Sequence, residues 1–178
     1  MQSYVVTADG ATDAIADLGA VDATTGDPID EILVAPSDDV DACFEATCDA
    51  LRELLDDRSD DLDAPGVAFL VDELWTTNDR AMPWAFDYLV RSGDLEKLQI
   101  IVTVHQPTDV PPKMRALVRH WFLFQCVDEN SLKLVRARFP EAIADALPTL
   151  PALTYVHFSE PRRTWAKFDD PRVWRPRD

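Results

Sequence analysis

The chain has 178 residues with 33 acidic and 17 basic side chains, a formal net charge of -16. That length suits one domain with a buried core and no need of disulfide or metal staples. No run approaches the ~18 apolar residues of a membrane span, and the N-terminal MQSYVVTADG lacks a basic leader region, so neither insertion nor export is expected.

The charge is unevenly spread. Residues 1–66 hold 18 acids against Arg52 and Arg58 alone, whereas residues 67–178 hold 15 of each sign. Asp outnumbers Glu by 25 to 8 and Arg outnumbers Lys by 13 to 4, a choice suited to remaining hydrated in concentrated salt, in the cytoplasm of a halophilic host or in a virion. A solvated acidic face in an ordinary cell is the plainer alternative. At high ionic strength the repulsion length shrinks to a few ångströms, so such a surface need not exclude nucleic acid. Cys43, Cys48 and Cys126 form no CxxC pair, and the first two fall on an apolar helical pattern. All three are expected to be reduced and structural.

In chain order, SYVVT (3–7) is predicted as a strand ending at Asp9-Gly10, and EILV (31–34) as another ending at Ala35-Pro36. Ser37, Asp38 and Asp39 make a helix start, and Val40, Phe44, Cys48, Leu51, Leu54 and Leu55 follow at helical spacing, so residues 37–56 are predicted as an amphipathic helix. A polar turn (58–66) releases into VAFLV (67–71), five apolar residues without alternation, expected to be buried on both faces. Residues 80–91 are predicted helical with Pro83 in the first turn, and LQIIVTV (98–104) is a second buried strand. Strand, helix, strand implies a parallel crossover. A short helix from Pro111-Pro112 to Arg119 leads into a third strand, WFLFQ (121–125); Asp128 caps a helix through Phe139, and Pro140 starts another. TYVHF (154–158) and TWAKF (164–168) form a terminal hairpin turned at 160–163.

Asp72 and Glu73 end the first apolar run abruptly. Adjacent carboxylates there stand at the C-terminal edge of a parallel sheet, where open α/β proteins bind ligands. Hydrolysis of a metal-bound nucleotide uses two such acids differently, one to orient the water shell of Mg²⁺ and one to polarise the attacking water. A helix N-cap after a strand fits the same pair equally well. The next buried strand ends in His105 and Gln106, which brings Gln106 to the same edge; its amide both donates and accepts, suiting it to sense a phosphate or hold a water, while a plain loop glutamine is the alternative. His105 reads chiefly as a strand-end residue, with a ligand or a base as the lesser reading.

VAFLVDE (67–73), a helix ending in RSG (91–93), IVTVHQPTDVPPKMR (101–115), WFLF (121–124) and DENSLK (128–133) together resemble the HerA–FtsK superfamily of DNA-pumping ATPases, which includes viral DNA-packaging ATPases and zonula-occludens-toxin-like proteins. The similarity covers residues 67–168, and VVTADG (5–10) resembles the strand after the family's P-loop helix. The resemblance implies a three-layer, RecA-like α/β fold with a mainly parallel sheet, one domain over 1–178 with an acidic front (1–66) and a tail (169–178), and a P-loop strand and helix missing from the front. It implies Asp72 as the Mg²⁺-associated acid, Glu73 as catalytic base and Gln106 as sensor. The chain departs from the pattern twice. Its glycines stand at 10, 19, 26, 66 and 93, none followed by Lys, so no GxxxxGK[ST] phosphate cradle exists, and Mg²⁺ and ATP are expected only if another segment or a partner supplies one. The family's arginine finger position holds Asp94, with Arg91 three residues earlier as a substitute or a simple helix-end cation.

Lys113, Arg115 and Arg119 follow the Gln106 loop, and Arg136, Arg138, Arg162 and Arg163 lie further on; contact with double-stranded DNA phosphates and solvated faces are both open. The five tryptophans are expected in core or interface positions. Expected partners are DNA, a homo-oligomeric ring or a complete ATPase subunit, and viral capsid proteins. The functional expectations are a part or descendant of a DNA-packaging or translocating ATPase, or a catalytically inactive relative serving as an interaction subunit, or an unrelated halophilic α/β protein.

Overall fold

The structure is a computed structural model that describes residues 2–6, 13–16, 29–34, 40–58, 60, 66–73, 84–92 and 98–168. Contacts divide the chain into two compact units, one of residues 1–71 and 80–101, the other of 72–79 and 102–178.

In the first unit β1 (Gln2–Val6) pairs in parallel with β2 (Ile29–Val34), with a register irregularity between Gln2 and Ser3. Helix α1 (Val40–Asp57) buries a stripe of Cys43, Thr47, Cys48, Ala50, Leu51 and Leu54; of the predicted positions Cys48, Leu51 and Leu54 lie in it, while Val40, Phe44 and Leu55 are only half-buried. Thr47 sits in that stripe because its hydroxyl donates to the Cys43 carbonyl at 2.8 Å, one turn back. On the opposite face Arg52 draws in Asp56 at 3.2 Å, one of several acids around it. Burial, with Asp49 and Glu45 adding to it, pushes the Cys48 thiol up to about 12, as befits a structural cysteine. Strand β3 (Val67–Val71) pairs with β4 (Leu98–Val102), and α2 (Trp84–Ser92) lies between them in sequence. Phe69 of β3, Phe44 of α1 and Phe86 of α2 meet with ring centroids 5.1–6.4 Å apart, so both helices cover the same face of the strand pair.

That arrangement corrects the expectation that β3 and β4 are buried on both faces. Val67 and Val71 are buried while Leu70 is 63% exposed, and on β4 Leu98 is buried while Ile101 is 44% exposed. An unbroken apolar run shows what a strand tolerates on each side, not whether a layer covers it. The second helical layer of the expected three is not among the described residues.

The second unit holds an antiparallel sheet ordered β5 (His120–Leu123), β6 (Tyr155–Ser159), β7 (Thr164–Phe168). Trp121 pairs with Phe158 and Phe158 with Trp165; Phe122 pairs with His157 and His157 with Ala166. The predicted terminal hairpin is present, turned over 160–163 with Arg163 at φ 52°. A short helix α3 (Pro112–Arg115) precedes β5 and stops four residues before the predicted Arg119. Helices α4 (Glu129–Arg138) and α5 (Glu141–Ala146) follow it. The core forms where Phe139 meets Trp121 and Phe158 edge to face at 5.4 and 5.1 Å. Around it Val135, Ile143, Leu147 and Val156 are fully buried.

The described strands form three separate sheets rather than one. They give a mixed α/β chain with a parallel pair in front and an antiparallel sheet at the end. Periodicity identifies strands; it carries little information on which strand lies beside which.

Asp128 caps α4 as predicted, its Oδ2 accepting the Ser131 N–H at 2.8 Å. That bond holds the Asp128 carboxyl below the usual carboxylate range. A depressed folded-state pKa contributes stability that is present above the unfolded pKa, about 4, and is lost as pH falls through the folded value. The melting-temperature gap between the native chain and Asp128→Ala is therefore expected to be widest near neutrality and to narrow in acid; a gap constant from neutral pH to pH about 2 would contradict this.

Candidate functional site

The polypeptide leaves β3 at Asp72 and β4 at Thr103, and one hydroxyl joins the two exits. Thr103 Oγ1 donates to Asp72 Oδ1 at 2.6 Å and accepts the Glu73 backbone N–H at 2.7 Å. The C-terminal ends of the two strands are thus adjacent, as the crossover reading requires. Glu73 adopts φ 53°, the left-handed region that a residue with a Cβ enters only at a cost of about 1–2 kcal/mol. Its N–H bond to Thr103 holds the turn there. Strain of this kind collects at sites where a side chain must be aimed.

Asp72 and Glu73 are both exposed. The Glu73 carboxylate has His105 Nε2 at 3.5 Å, with the two side chains 66% and 77% exposed, so in water their attraction is weak. Asp72 is held by Thr103 with its second oxygen outside that bond. The arrangement offers one oriented carboxylate, one carboxylate on a strained turn, and an imidazole beside it, all open to a ligand.

Gln106 follows His105 and caps a 3-10 turn (Pro107–Asp109); its backbone N–H donates to Asp109 Oδ2 at 2.9 Å. Its side-chain carbonyl accepts from Thr108 Oγ1 at 3.3 Å, so the amide is engaged with its own loop rather than with either acid. Arg91 lies in the other compact unit, in the last turn of α2, with Nε on Asp87 Oδ1 at 2.8 Å.

The basic residues divide by role. Arg115 donates from Nε to the Val110 carbonyl at 2.6 Å and from Nη2 to the Thr108 carbonyl at 2.8 Å, stitching the Pro-rich loop together. Lys113 and Arg119 are exposed, the Arg119 carbonyl accepting the Glu160 N–H. Arg138 lies over the Trp121 ring and bonds Glu160 at 2.8 Å, and Arg163 bonds the same carboxylate at 3.1 Å, so both serve the packing of the second unit. Trp121 is core, as predicted, while Trp84 and Trp165 are 65% and 41% exposed; Trp174 and Trp75 lie outside the described residues.

Thr103 lies two residues before the polar pair His105-Gln106 and is not among the site residues that the sequence pattern marks. Its signal was a lone hydroxyl in an apolar run just before a strand ends. Thr103→Val keeps the shape and removes both bonds. It is expected to lower stability by about 1 kcal/mol, seen as a shift in urea midpoint; no shift would mean that water satisfies both partners equally well.

The fold is similar to that of the genome-packaging NTPase B204 from Sulfolobus turreted icosahedral virus 2 in complex with AMPPCP: TM-score 0.66 and 13% identity, covering 88% of this chain and 70% of that one. The complex of the same NTPase with ATP-gammaS gives a TM-score of 0.61 at 12% identity, over 88% and 71%. For B204, the DNA-packaging ATPase from Sulfolobus turreted icosahedral virus, the values are 0.64 and 13%, over 79% and 66%. At such identities the likeness is one of fold. The chain matches no protein-family model and no curated protein. Among the described residues no helix is long and apolar enough to cross a membrane.

Proposed function

We propose that this chain is a part or descendant of a DNA-packaging or DNA-translocating ATPase, from a halophilic archaeon or a virus of one, that works in an oligomeric ring or beside a complete ATPase subunit. The observation that carries the reading is the Thr103 hydroxyl joining Asp72 to the Glu73 turn at adjoining strand ends, in a chain whose fold is similar to B204. The preference for Asp over Glu and Arg over Lys supports the halophilic origin.

Asp72 is a hard oxygen donor, held in orientation and open on one side, and it fits the water shell of Mg²⁺. Mg²⁺ when bound would offset the charge of a polyphosphate. Glu73, the base in this reading, polarises the attacking water, and the strained turn aims it. Gln106 takes the sensor role by exchanging its Thr108 contact for a ligand, and Arg91 takes the finger role by leaving Asp87. Lys113 and Arg119 are the residues proposed to meet DNA phosphates, with Arg115 shaping the loop that carries them. The residues of this chain do not fit the β- and γ-phosphates by themselves, because no glycine-rich nest with a following lysine occurs in the sequence. The single RecA-like, three-layer domain belongs to the same proposal and requires the missing strand and helix from another segment or chain.

That missing cradle is also the specific observation favouring a second reading, a catalytically inactive relative retained as an interaction subunit of a virion or DNA machine, with capsid proteins among its partners. Isolating the tagged chain from its native host under high salt separates the two. Recovery of Mg²⁺-dependent ATP turnover with a GxxxxGK[ST]-bearing chain or segment is expected from the first reading; an assembly with no ATP turnover under any salt condition overturns it.

A further inference from the structure

We propose that His120 and His157 form a transition-metal site on the aromatic face of the β5–β6–β7 sheet, taking Zn²⁺ or a cation of similar character through His120 Nδ1 and His157 Nε2. The sheet has two different faces. Trp121 and Phe158 point into the core against Phe139. On the other face His120, Phe122, Phe124, Tyr155, His157 and Phe168 form a continuous set of ring contacts. In the register His120 lies opposite Ser159 and Phe122 opposite His157, so the two histidines are diagonal neighbours, a spacing within reach of long and aromatic side chains.

Their nitrogens converge: His120 Nδ1 and His157 Nε2 are 3.1 Å apart, with ring centroids at 5.3 Å. Two imidazole nitrogens bound to one tetrahedral zinc at ~2.05 Å are separated by about 3.3 Å. The pair therefore needs to open by only a few tenths of an ångström. The His157 ring is braced, because Phe122 lies parallel to it at 4.7 Å and 9°. Burial, and then the neighbouring His120, hold the His157 pKa below the ordinary histidine range. Without metal, the two rings share one N–H···N hydrogen bond. Metal binding replaces it, with the remaining ring protons on His120 Nε2 and His157 Nδ1.

A second observation points to the same place. Ser159 is 5% exposed and its Oγ is buried with no hydrogen-bond partner. It stands opposite His120 and two residues after His157, on the histidine side of the strand. Buried hydroxyls are rarely left unpaired, and a water on the metal supplies the missing partner. Among the described residues no three His, Cys, Asp or Glu gather at one point, so the remaining coordination positions fall to water. Imidazole selects against Mg²⁺, which keeps this site chemically distinct from the Asp72–Glu73 pair.

Titration calorimetry with Zn²⁺ against the full chain, in excess Mg²⁺ to occupy carboxylates, tests this. One saturable site is expected, weakened about tenfold or more by either His120→Asn or His157→Asn. Because His120 is exposed, its variant tests the site without disturbing the core. Zinc affinity unchanged in His120→Asn, zinc binding lost instead in His105→Ala, or no saturable binding at all would overturn the proposal.

Discussion

Glu73→Gln is expected to lower ATP turnover of the assembled ATPase about a hundredfold or more, the usual range for loss of a positioned general base. The change is nearly isosteric, so packing is retained while the negative charge and the proton acceptor are removed. Glu73 is exposed, and its side chain has His105 Nε2 at 3.5 Å; its backbone N–H, which holds the turn to Thr103, is unaltered. The melting temperature should therefore stay where it is. Turnover is measured on the native complex at saturating Mg²⁺ and ATP, beside a variant of the P-loop-bearing partner as the inactive reference. Full turnover in Glu73→Gln would remove this chain from the chemistry and leave it an interaction subunit. Loss of turnover together with loss of melting temperature would instead indicate that the strained turn, not the base, had failed.

Phe158→Ala is expected to destabilise the second unit by about 3–5 kcal/mol. Phe158 is fully buried, meets Phe139 edge to face, and pairs across the sheet with both Trp121 and Trp165. The Arg163 guanidinium lies 5.7 Å over its ring, so truncation removes a support for the hairpin turn as well as apolar contact. Total stabilities of domains this size are about 5–15 kcal/mol, which makes the loss a large share of the whole. Urea unfolding at fixed high salt, read by tryptophan fluorescence, measures it. Trp121 lies across the strand pair from the truncated site, so its signal reports on the affected core. A loss below about 1 kcal/mol would mean that Trp121 and Phe139 collapse into the space.

The element pattern was legible because local chemistry decides it. The Asp128 cap, the Pro140 start and the terminal hairpin each rest on residues within a few positions of one another, and each appears where the sequence puts it. The exit of β3 was legible for the same reason, an apolar run that stops at a carboxylate pair, whereas β4 ends at Val102, two residues before the predicted end of its run.

What only the tertiary structure decided was how such features meet. Thirty residues separate Glu73 from Thr103, and a single hydroxyl links Thr103 to both Asp72 and the Glu73 turn; no spacing rule foresees a hydrogen bond across a crossover. Gln106, placed at the sheet edge by sequence, has its amide on Thr108, because a side chain in a tight turn finds local partners first. Arg138 and Arg163, open to DNA in the sequence, are committed to Glu160 and aromatic rings. The apolar runs of β3 and β4 left their outer faces exposed, since hydrophobicity records what a strand can bury and the neighbouring layers determine what it does bury. The histidine pair is the clearest case: 37 residues apart, it exists only through the β5–β6 register. Local order follows from the chain's own covalent neighbourhood, whereas each candidate site depends on which distant strand ends and faces packing brings together.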